Sequence, residues 1–293
     1  MKKILGILVF LLLSVVTSFA QEPYGFSINC TNDQTSFDNG VRIRVVQLRS
    51  GYDYTATAIG MNGFDPVLAV LGEDGNGLCN DDNADASYYQ AWLPSTGEVA
   101  ASSTTAQVYF ANNSSNTFEN VDLIVGGFNE GAGEFILILE GMYAGSADGV
   151  GDVFSVTISG NMVESEVPLN AYMMAVTNVF DPLVYITDIN QDDWSQAVVD
   201  VDGNSMVCDD SGNSNACWGQ VTDIKDYYVS RTGDRYAIGL GTDAMMSLQL
   251  LGFEYDPELT YTYTFVATSY QRNTEGDYLM AFHFANGVPN SGQ

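Results

Sequence analysis

A short segment that occurs twice in the chain decides the fold: NGFDPVL at residues 62–68 and NVFDPLV at residues 178–184. In each copy an Asp-Pro step restricts the backbone to extended conformations, and an apolar run follows it. An apolar run between turn residues predicts a strand that is buried on both faces. The repetition therefore indicates two copies of one β-rich unit.

Three blocks occur in the same order in both copies: this segment, an Asp-Gly-Asn turn that precedes an Asp-Asp pair, and a Gly-acid-aromatic start of a closing strand. The last two blocks lie at 74–76 with 202–204, at 81–82 with 209–210, and at 133–137 with 276–280. The offset between the copies grows from 116 to 128 to 143 positions. The second copy therefore carries insertions, the first of them between Asp181 and Asp202.

Alternating apolar and polar residues predict further strands, for example at residues 41–45, 154–158 and 261–265. Short strands with frequent Gly, Asn and Asp turns are typical of a sandwich. We expect an all-β protein with two tandem antiparallel β-sandwich domains of jelly-roll type, at residues 21–149 and 150–293. The boundary is placed near Gly149, in a stretch of small residues.

The first twenty residues have the pattern of an export signal. Lys2 and Lys3 precede an apolar run at residues 4–16, and Ser18 and Ala20 are the small residues that signal peptidase recognises. The alternative is a membrane anchor, but the run is shorter than the roughly 20 residues that a span requires. We expect residues 1–20 to be cleaved and the mature protein to be extracellular, cell-surface or periplasmic, without a membrane span.

The charge is strongly acidic. Nine basic residues face 37 acidic ones, for a net charge of −28, and loss of Lys2 and Lys3 would make it −30. Such a surface repels phosphate backbones and anionic membranes, which excludes nucleic acid as a partner. The acids serve general solubility, or some of them gather into sites for hard cations, which take oxygen ligands.

An exported chain permits disulfides among its four cysteines, which allow three pairings. We favour one bridge in each half, Cys30 with Cys79 and Cys208 with Cys217. Zinc is the alternative, but the sequence has no CxxC pair and a single histidine.

The ordered blocks Phe-Asp-Pro, Asp-Gly-Asn, Asp-Asp and Gly-acid-aromatic resemble the bacterial pre-peptidase C-terminal domain, over most of residues 24–142 and more loosely over 150–286. The resemblance implies jelly-roll-like β-sandwiches of about a hundred residues and a non-catalytic accessory or binding role. Related collagen-binding modules bind calcium through acidic residues. The matching positions here are Asp65, Asp81, Asp82, Asp181, Asp209 and Asp210. The chain departs from the family in lacking an accompanying peptidase and in its enlarged second copy.

Calcium requires six to eight oxygen ligands, which acids at strand ends beside an Asp-Gly-Asn turn are able to supply in part. The candidate metal ligands are Asp65, Asp74, Asp81 and Asp82 in the first copy, and Asp181, Asp202, Asp209 and Asp210 in the second. Ordinary turn chemistry is the alternative, because Asp and Asn hydrogen-bond their own backbone in turns. The first insertion holds a second acidic set, for which a solvated loop is favoured: Asp188, Asn190, Asp192, Asp193 and Asp200.

Two groups of aromatic residues suggest a ligand surface for an extracellular protein or a glycan, although sandwich core is the preferred interpretation. They are Tyr88, Tyr89 and Trp92, and Trp218, Tyr227 and Tyr228. Trp194 is the aromatic expected to be exposed.

Catalysis has little support in the sequence. His283 alternates with phenylalanines in a closing strand, which predicts a structural role. We expect a secreted, non-catalytic binding, adhesion or accessory protein with calcium as a candidate structural ion. The alternatives are an assembly component of the cell envelope and a carboxylate-based hydrolase.

Overall fold

The structure is a computed structural model. It describes residues 26–30, 34–37, 40–46, 48–83, 90–93, 97–111, 120–144, 151–159, 169–176, 180–187, 206–208, 226–229, 235–238, 243–247, 260–270 and 274–288. In some of these segments only the backbone is described. The predicted signal peptide lies outside these ranges. Within them, no helix has the length and apolar character that crossing a membrane requires.

The described residues form twenty strands and one short 3₁₀ turn, Phe128–Glu130. The first half contains β1 (Phe26–Cys30), β2 (Gln34–Phe37), β3 (Val41–Val46), β4 (Asp53–Gly60), β5 (Pro66–Leu71), β6 (Asn76–Asn80), β7 (Gln90–Leu93), β8 (Gly97–Ala100), β9 (Ala106–Ala111), β10 (Val121–Gly127) and β11 (Gly133–Ala144). The second half contains β12 (Asp152–Ser159), β13 (Leu169–Ala175), β14 (Pro182–Thr187), β15 (Val207–Cys208), β16 (Asp226–Val229), β17 (Arg235–Ile238), β18 (Ala244–Ser247), β19 (Thr260–Ser269) and β20 (Gly276–Val288).

Sixteen of these strands form two large sheets. Sheet A has the order β15-β14-β19-β12-β3-β10-β5-β6-β1-β2, and sheet B has the order β18-β13-β20-β11-β4-β9. Neighbouring strands are antiparallel in both sheets, apart from β1, which runs parallel to β6. The predicted all-β, sandwich-like fold is confirmed.

The two halves repeat one strand order around a common centre. From the centre of sheet A outward, β3, β10, β5 and β6 mirror β12, β19, β14 and β15. In sheet B, β11, β4 and β9 mirror β20, β13 and β18. The central strands pair antiparallel across the centre, β3 with β12 and β11 with β20, and we call these two pairings the seam. An approximate two-fold axis therefore relates the halves.

The strand register reproduces the offsets read from the sequence. Leu68 pairs with Asn80 and Val184 pairs with Cys208, so the offset of 116 at β5 and β14 corresponds to 128 at β6 and β15. At the seam, Leu137 pairs with Phe282 and Leu139 with Met280. With an offset of 143, Leu137 corresponds to Met280 and Leu139 to Phe282. A two-fold axis would therefore exchange one pair for the other. The alignment of the repeated blocks is thus consistent with the strand pairing.

One core serves both halves. The inward side chains of the two sheets form a single buried cluster from Val41 to Phe284, in which Phe135 stacks on Phe284 with 4.7 Å between the ring centroids. The boundary predicted near Gly149 lies between β11 and β12, outside the described residues. Since both sheets continue across it, the division into two separate tandem domains stays a prediction.

A third layer covers the outer face of sheet B. That face carries apolar side chains such as Ile136, Ile138 and Tyr172, and Val99 of β8 belongs to the same buried cluster. The hairpin of β7 and β8 therefore packs on sheet B. The hairpin of β16 and β17 occupies the equivalent place in the chain of the second half, and β16 lies against β7.

Candidate functional site

Asp65 lies in the connection between β4 and β5, where the repeated segment makes its turn. Asn62 and Gly63 adopt positive φ angles of 53° and 85° in this turn, and the Phe64 side chain is buried behind it. The Asp65 main-chain oxygen accepts a hydrogen bond of 2.9 Å from the Phe128 amide, which fixes the turn to the end of β10. The carboxylate is thereby held at one end of sheet A.

Asp81 and Asp82 lie at the same end, directly after β6. Because β5 and β6 are antiparallel, the end of β6 is adjacent to the start of β5, beside Asp65. Burial raises the pKa of the Asp65 carboxyl above its ordinary value, and the charges of Asp82 and Asp81 raise it further. The Asp65 Oδ1 atom is buried and has no hydrogen-bond partner among the described residues. The structure thus brings these three predicted ligands together.

Asp74 is not part of this group. It lies in the turn at the opposite end of β5, a strand of six residues that spans about 20 Å. Its carboxylate accepts hydrogen bonds from the Asn76 amide nitrogen at 3.0 Å and from Asn76 Nδ2 at 3.1 Å. These bonds lower the pKa of Asp74. Asp74 therefore has the turn role that was considered as the alternative to metal binding.

Of the predicted metal ligands in the second copy, only Asp181 lies within the described residues. Its main-chain oxygen accepts a hydrogen bond of 2.8 Å from the Tyr270 amide, which is the counterpart of the bond between Asp65 and Phe128. Asp202, Asp209 and Asp210 lie outside the described residues, as do Asp188, Asn190, Asp192, Asp193, Asp200 and Trp194 of the insertion. The backbone of the two copies is therefore anchored in the same way at the first of the predicted ligands.

The carboxylates near Asp65 do not form a preassembled metal cage. Among the described residues, no group of three or more His, Cys, Asp or Glu side chains has an arrangement that could hold a metal ion. A hard cation at this end would need the three aspartates to draw closer, together with main-chain or water oxygens.

Cys79 and Cys208 are buried, and neither is a free thiol. In the strand register, Asn80 lies opposite Leu68, and Cys208 lies opposite Val184, the equivalent of Leu68. Cys208 therefore corresponds to Asn80 and not to Cys79. β1 pairs with β6, which brings the Cys30 backbone to the strand of Cys79. The Cys30 side chain and Cys217 lie outside the described part, so both pairings stay predictions.

His283 is buried, and it belongs to a chain of hydrogen bonds that reaches the surface on the outer face of sheet B. Its Nε2 lies 2.8 Å from Glu134 Oε1, and Asn62 Nδ2 donates to Glu134 Oε2 at 2.8 Å. Burial lowers the pKa of His283, and Glu134 opposes this shift. The chain fastens the turn of the first copy to the last strand of the second, which is the structural role expected from the sequence.

At the seam lies a carboxyl, that of the partly exposed Asp152, which no sequence motif marks. Asp152 is the first residue of β12, and Tyr278 of β20 donates a hydrogen bond of 2.6 Å to its Oδ2. Burial raises the pKa of Asp152 to about 6, against the opposing effects of Tyr278 and of the Arg49 charge. The two partners are 126 positions apart in the chain, and no local motif links them.

Three members of the two predicted aromatic groups lie in neighbouring hairpins. Trp92 is in β7, and Tyr227 and Tyr228 are in β16, which lies against β7. The side chains of these residues are outside the described part, as are the three remaining members of the groups, Tyr88, Tyr89 and Trp218. The fold thus brings together two segments that are 133 positions or more apart, while the role of their aromatic rings stays a prediction.

No family model matches the chain, and no curated protein is significantly similar to it in sequence. The likeness to the pre-peptidase C-terminal domain therefore rests on the repeated motifs alone.

Proposed function

We propose that the mature chain is an exported, non-catalytic binding or accessory protein, built from two units of the pre-peptidase C-terminal type. The observation that carries this proposal is that aspartates of the repeat lie at the same end of sheet A. Asp65, Asp81 and Asp82 come from two of the repeated blocks, and burial, followed by the charges of Asp82 and Asp81, raises the pKa of Asp65. Calcium is the proposed structural ion at this end.

The physical reason for a cation is electrostatic. Like charges in a partly buried place disfavour ionisation, and a bound divalent cation reverses this effect. Asp65 has an unpartnered buried oxygen among the described residues, which is the kind of atom that a calcium ion coordinates. Asp181 with Asp209 and Asp210 is the proposed equivalent site in the second copy.

The compartment follows from the first twenty residues, which we take as a cleaved export signal. An oxidising compartment would allow Cys30 to pair with Cys79 and Cys208 to pair with Cys217. The first of these bridges would link β1 to β6, which already pair. Peptide mapping of the unreduced protein would test both pairings.

Calcium-dependent unfolding tests the ion. At a calcium concentration of about 100 times Kd, a single site adds roughly 2.7 kcal/mol to the free energy of unfolding. We expect calcium to raise the melting temperature relative to a chelator, and Asp82→Asn to remove most of the shift that the first site contributes. Asp74→Asn is the matched control, because Asp74 lies at the far end of β5. An unchanged melting temperature in calcium and chelator removes the ion from the proposal.

Binding is tested separately on immobilised extracellular matrix proteins and on glycan arrays. A specific ligand supports the binding role. Turnover of a polysaccharide panel that one acidic substitution abolishes would replace it with the hydrolase alternative.

A further inference from the structure

Four aromatic and charged side chains lie together on the surface at one end of the seam, and we call them the seam cluster. They are Arg49 and Tyr52 from the connection between β3 and β4, Tyr143 from β11, and Glu275, the residue before β20. The Tyr52 and Tyr143 ring centroids are 6.3 Å apart, with the ring planes inclined by 45°. Tyr52 is 37% exposed and Glu275 is exposed, so the cluster is open to a ligand.

Charged groups hold the aromatic pair in place. The Arg49 guanidinium carbon is 4.7 Å from the Tyr143 ring centroid, a cation–π contact. Desolvation, followed by the charge and the hydrogen bond of Glu275, raises the pKa of the Tyr143 hydroxyl. Tyr143 is thus flanked by a donor group above its ring and an acceptor at its hydroxyl.

The layer beneath the cluster is fixed by hydrogen bonds. The Arg49 amide donates to the Tyr54 hydroxyl at 2.9 Å, which anchors the Arg49 backbone to β4. Tyr278 donates a hydrogen bond to the Asp152 carboxyl, and the Arg49 charge lowers the pKa of that carboxyl, against the larger effect of burial. The cluster is therefore preorganised, which lowers the entropic cost of binding a ligand.

The fold itself does not require this polar arrangement. The approximate two-fold axis relates Asp152 to Val41 and Tyr278 to Phe135. The offset of 111 positions for the first pair follows from the offset of 116 at β5 and β14, carried through the strand registers of β10 and β19. The offset of 143 for the second pair is that of the repeated closing block. At that other end of the seam, Phe135 packs on Phe284 and Phe64 in an apolar contact. Since apolar packing is sufficient at the Phe135 end of the seam, the polar contact of Asp152 with Tyr278 at the opposite end is a feature that the repeated fold does not require.

From this geometry we infer that the seam cluster is a binding site for a neutral oligosaccharide. The C–H face of a pyranose ring stacks on an exposed aromatic ring, and its hydroxyl pairs take hydrogen bonds from a guanidinium and give them to a carboxylate. The net charge of −28 repels acidic polysaccharides, which favours a neutral chain. This inference names the ligand class of the proposed binding function and rests on it.

Calorimetric titration with cellohexaose, xylohexaose and chitohexaose tests the site. We expect one of these probes to bind. Tyr52→Ala should lower the affinity for that probe roughly ten-fold, because one stacked ring is lost, and Arg49→Ala should lower it by a similar factor. Tyr270→Ala is the matched control, because Tyr270 is 38% exposed and lies outside the cluster; it should leave the affinity unchanged. Melting curves confirm that each variant folds.

Chemical protection provides a readout that does not depend on a variant. The bound probe should shield Tyr52 from nitration by tetranitromethane and leave Tyr270 reactive, as measured by peptide mass spectrometry. Binding that survives Tyr52→Ala, or equal protection of both tyrosines, overturns the seam cluster as the site and leaves the proposed binding function standing. Absence of binding by all three probes overturns the inference, while the proposed function is decided by the matrix-protein and calcium experiments.

Discussion

Replacing Asp152 with asparagine should stabilise the protein at neutral pH. The Asp152 carboxyl is enclosed at the seam, and Tyr278 donates a hydrogen bond of 2.6 Å to its Oδ2. An asparagine oxygen accepts the same bond from Tyr278. The substitution therefore removes a buried negative charge and keeps the hydrogen bond and nearly the same volume.

The sign and size of the effect follow from linkage. The pKa of Asp152 is about 6 in the folded protein, against an ordinary value of 3.8. The native state therefore holds its proton more tightly than the unfolded chain. This contribution to stability is fully present below pH 3.8 and is lost as the pH rises through 6. A difference of about two pKa units corresponds to about 3 kcal/mol, an upper bound because part of the residue reaches solvent.

Urea unfolding in chelator between pH 4 and pH 8, followed by tyrosine fluorescence, measures this difference. Asp152→Asn should match the parent protein near pH 4 and exceed its free energy of unfolding at pH 8 by up to about 3 kcal/mol. Asp53→Asn, at an exposed position at the start of β4, should show no such divergence. A variant that is equally or less stable than the parent at pH 8 would refute the reasoning.

Three other perturbations have definite expected outcomes. Gly141→Ala should cost at least about 2 kcal/mol in urea unfolding, since a Cβ at this φ of +85° would lie 2.2 Å from a main-chain oxygen, whereas Gly51→Ala, at the same φ in open space, should cost only about 1. Phe282→Ala should lower the free energy of unfolding by 3–5 kcal/mol by opening a cavity between two other rings, and alanine at Phe128, 46% exposed, should have little effect. Cleavage at a protease site inserted in residues 145–150 should leave two pieces that co-elute in size-exclusion chromatography, because the seam joins them; separation of the pieces would contradict the shared sheets.

The repeat was readable from the sequence because its signals are local. The Asp-Pro step at Asp65 and Asp181 is followed by a strand that starts at the proline in both copies, so aligning the two segments gives the correct register at β5 and β14. The continuity of the sheets was not readable. The alternation in residues 41–45 shows which side chains face inward, but it does not show which strand lies alongside, and β12 is that strand.

The candidate sites divide in the same way. The grouping of Asp65 with Asp81 and Asp82 follows from antiparallel pairing, which a hairpin implies. Asp74 is separated from that group by the length of β5, because a hairpin turn and the open ends of its strands lie at opposite ends of the strands. The contact between Asp152 and Tyr278 joins strands from distant parts of the chain, and neither local sequence contains a motif that predicts it.

The approximate symmetry itself separates structural from specialised residues. Positions that satisfy the same contact in both halves, such as the main-chain bonds that Asp65 and Asp181 accept, belong to the common scaffold. At a position that is apolar in one half and polar in the other, the fold does not require the polar residue, because the half with the apolar residue packs without it. Asp152 against Val41 is such a position. The raised pKa of Asp152 predicts that its carboxylate destabilises the protein at neutral pH, whereas the equivalent place in the other half is apolar. If the inferred ligand site is correct, a destabilising residue beside an open aromatic pair is an example of a trade between stability and binding.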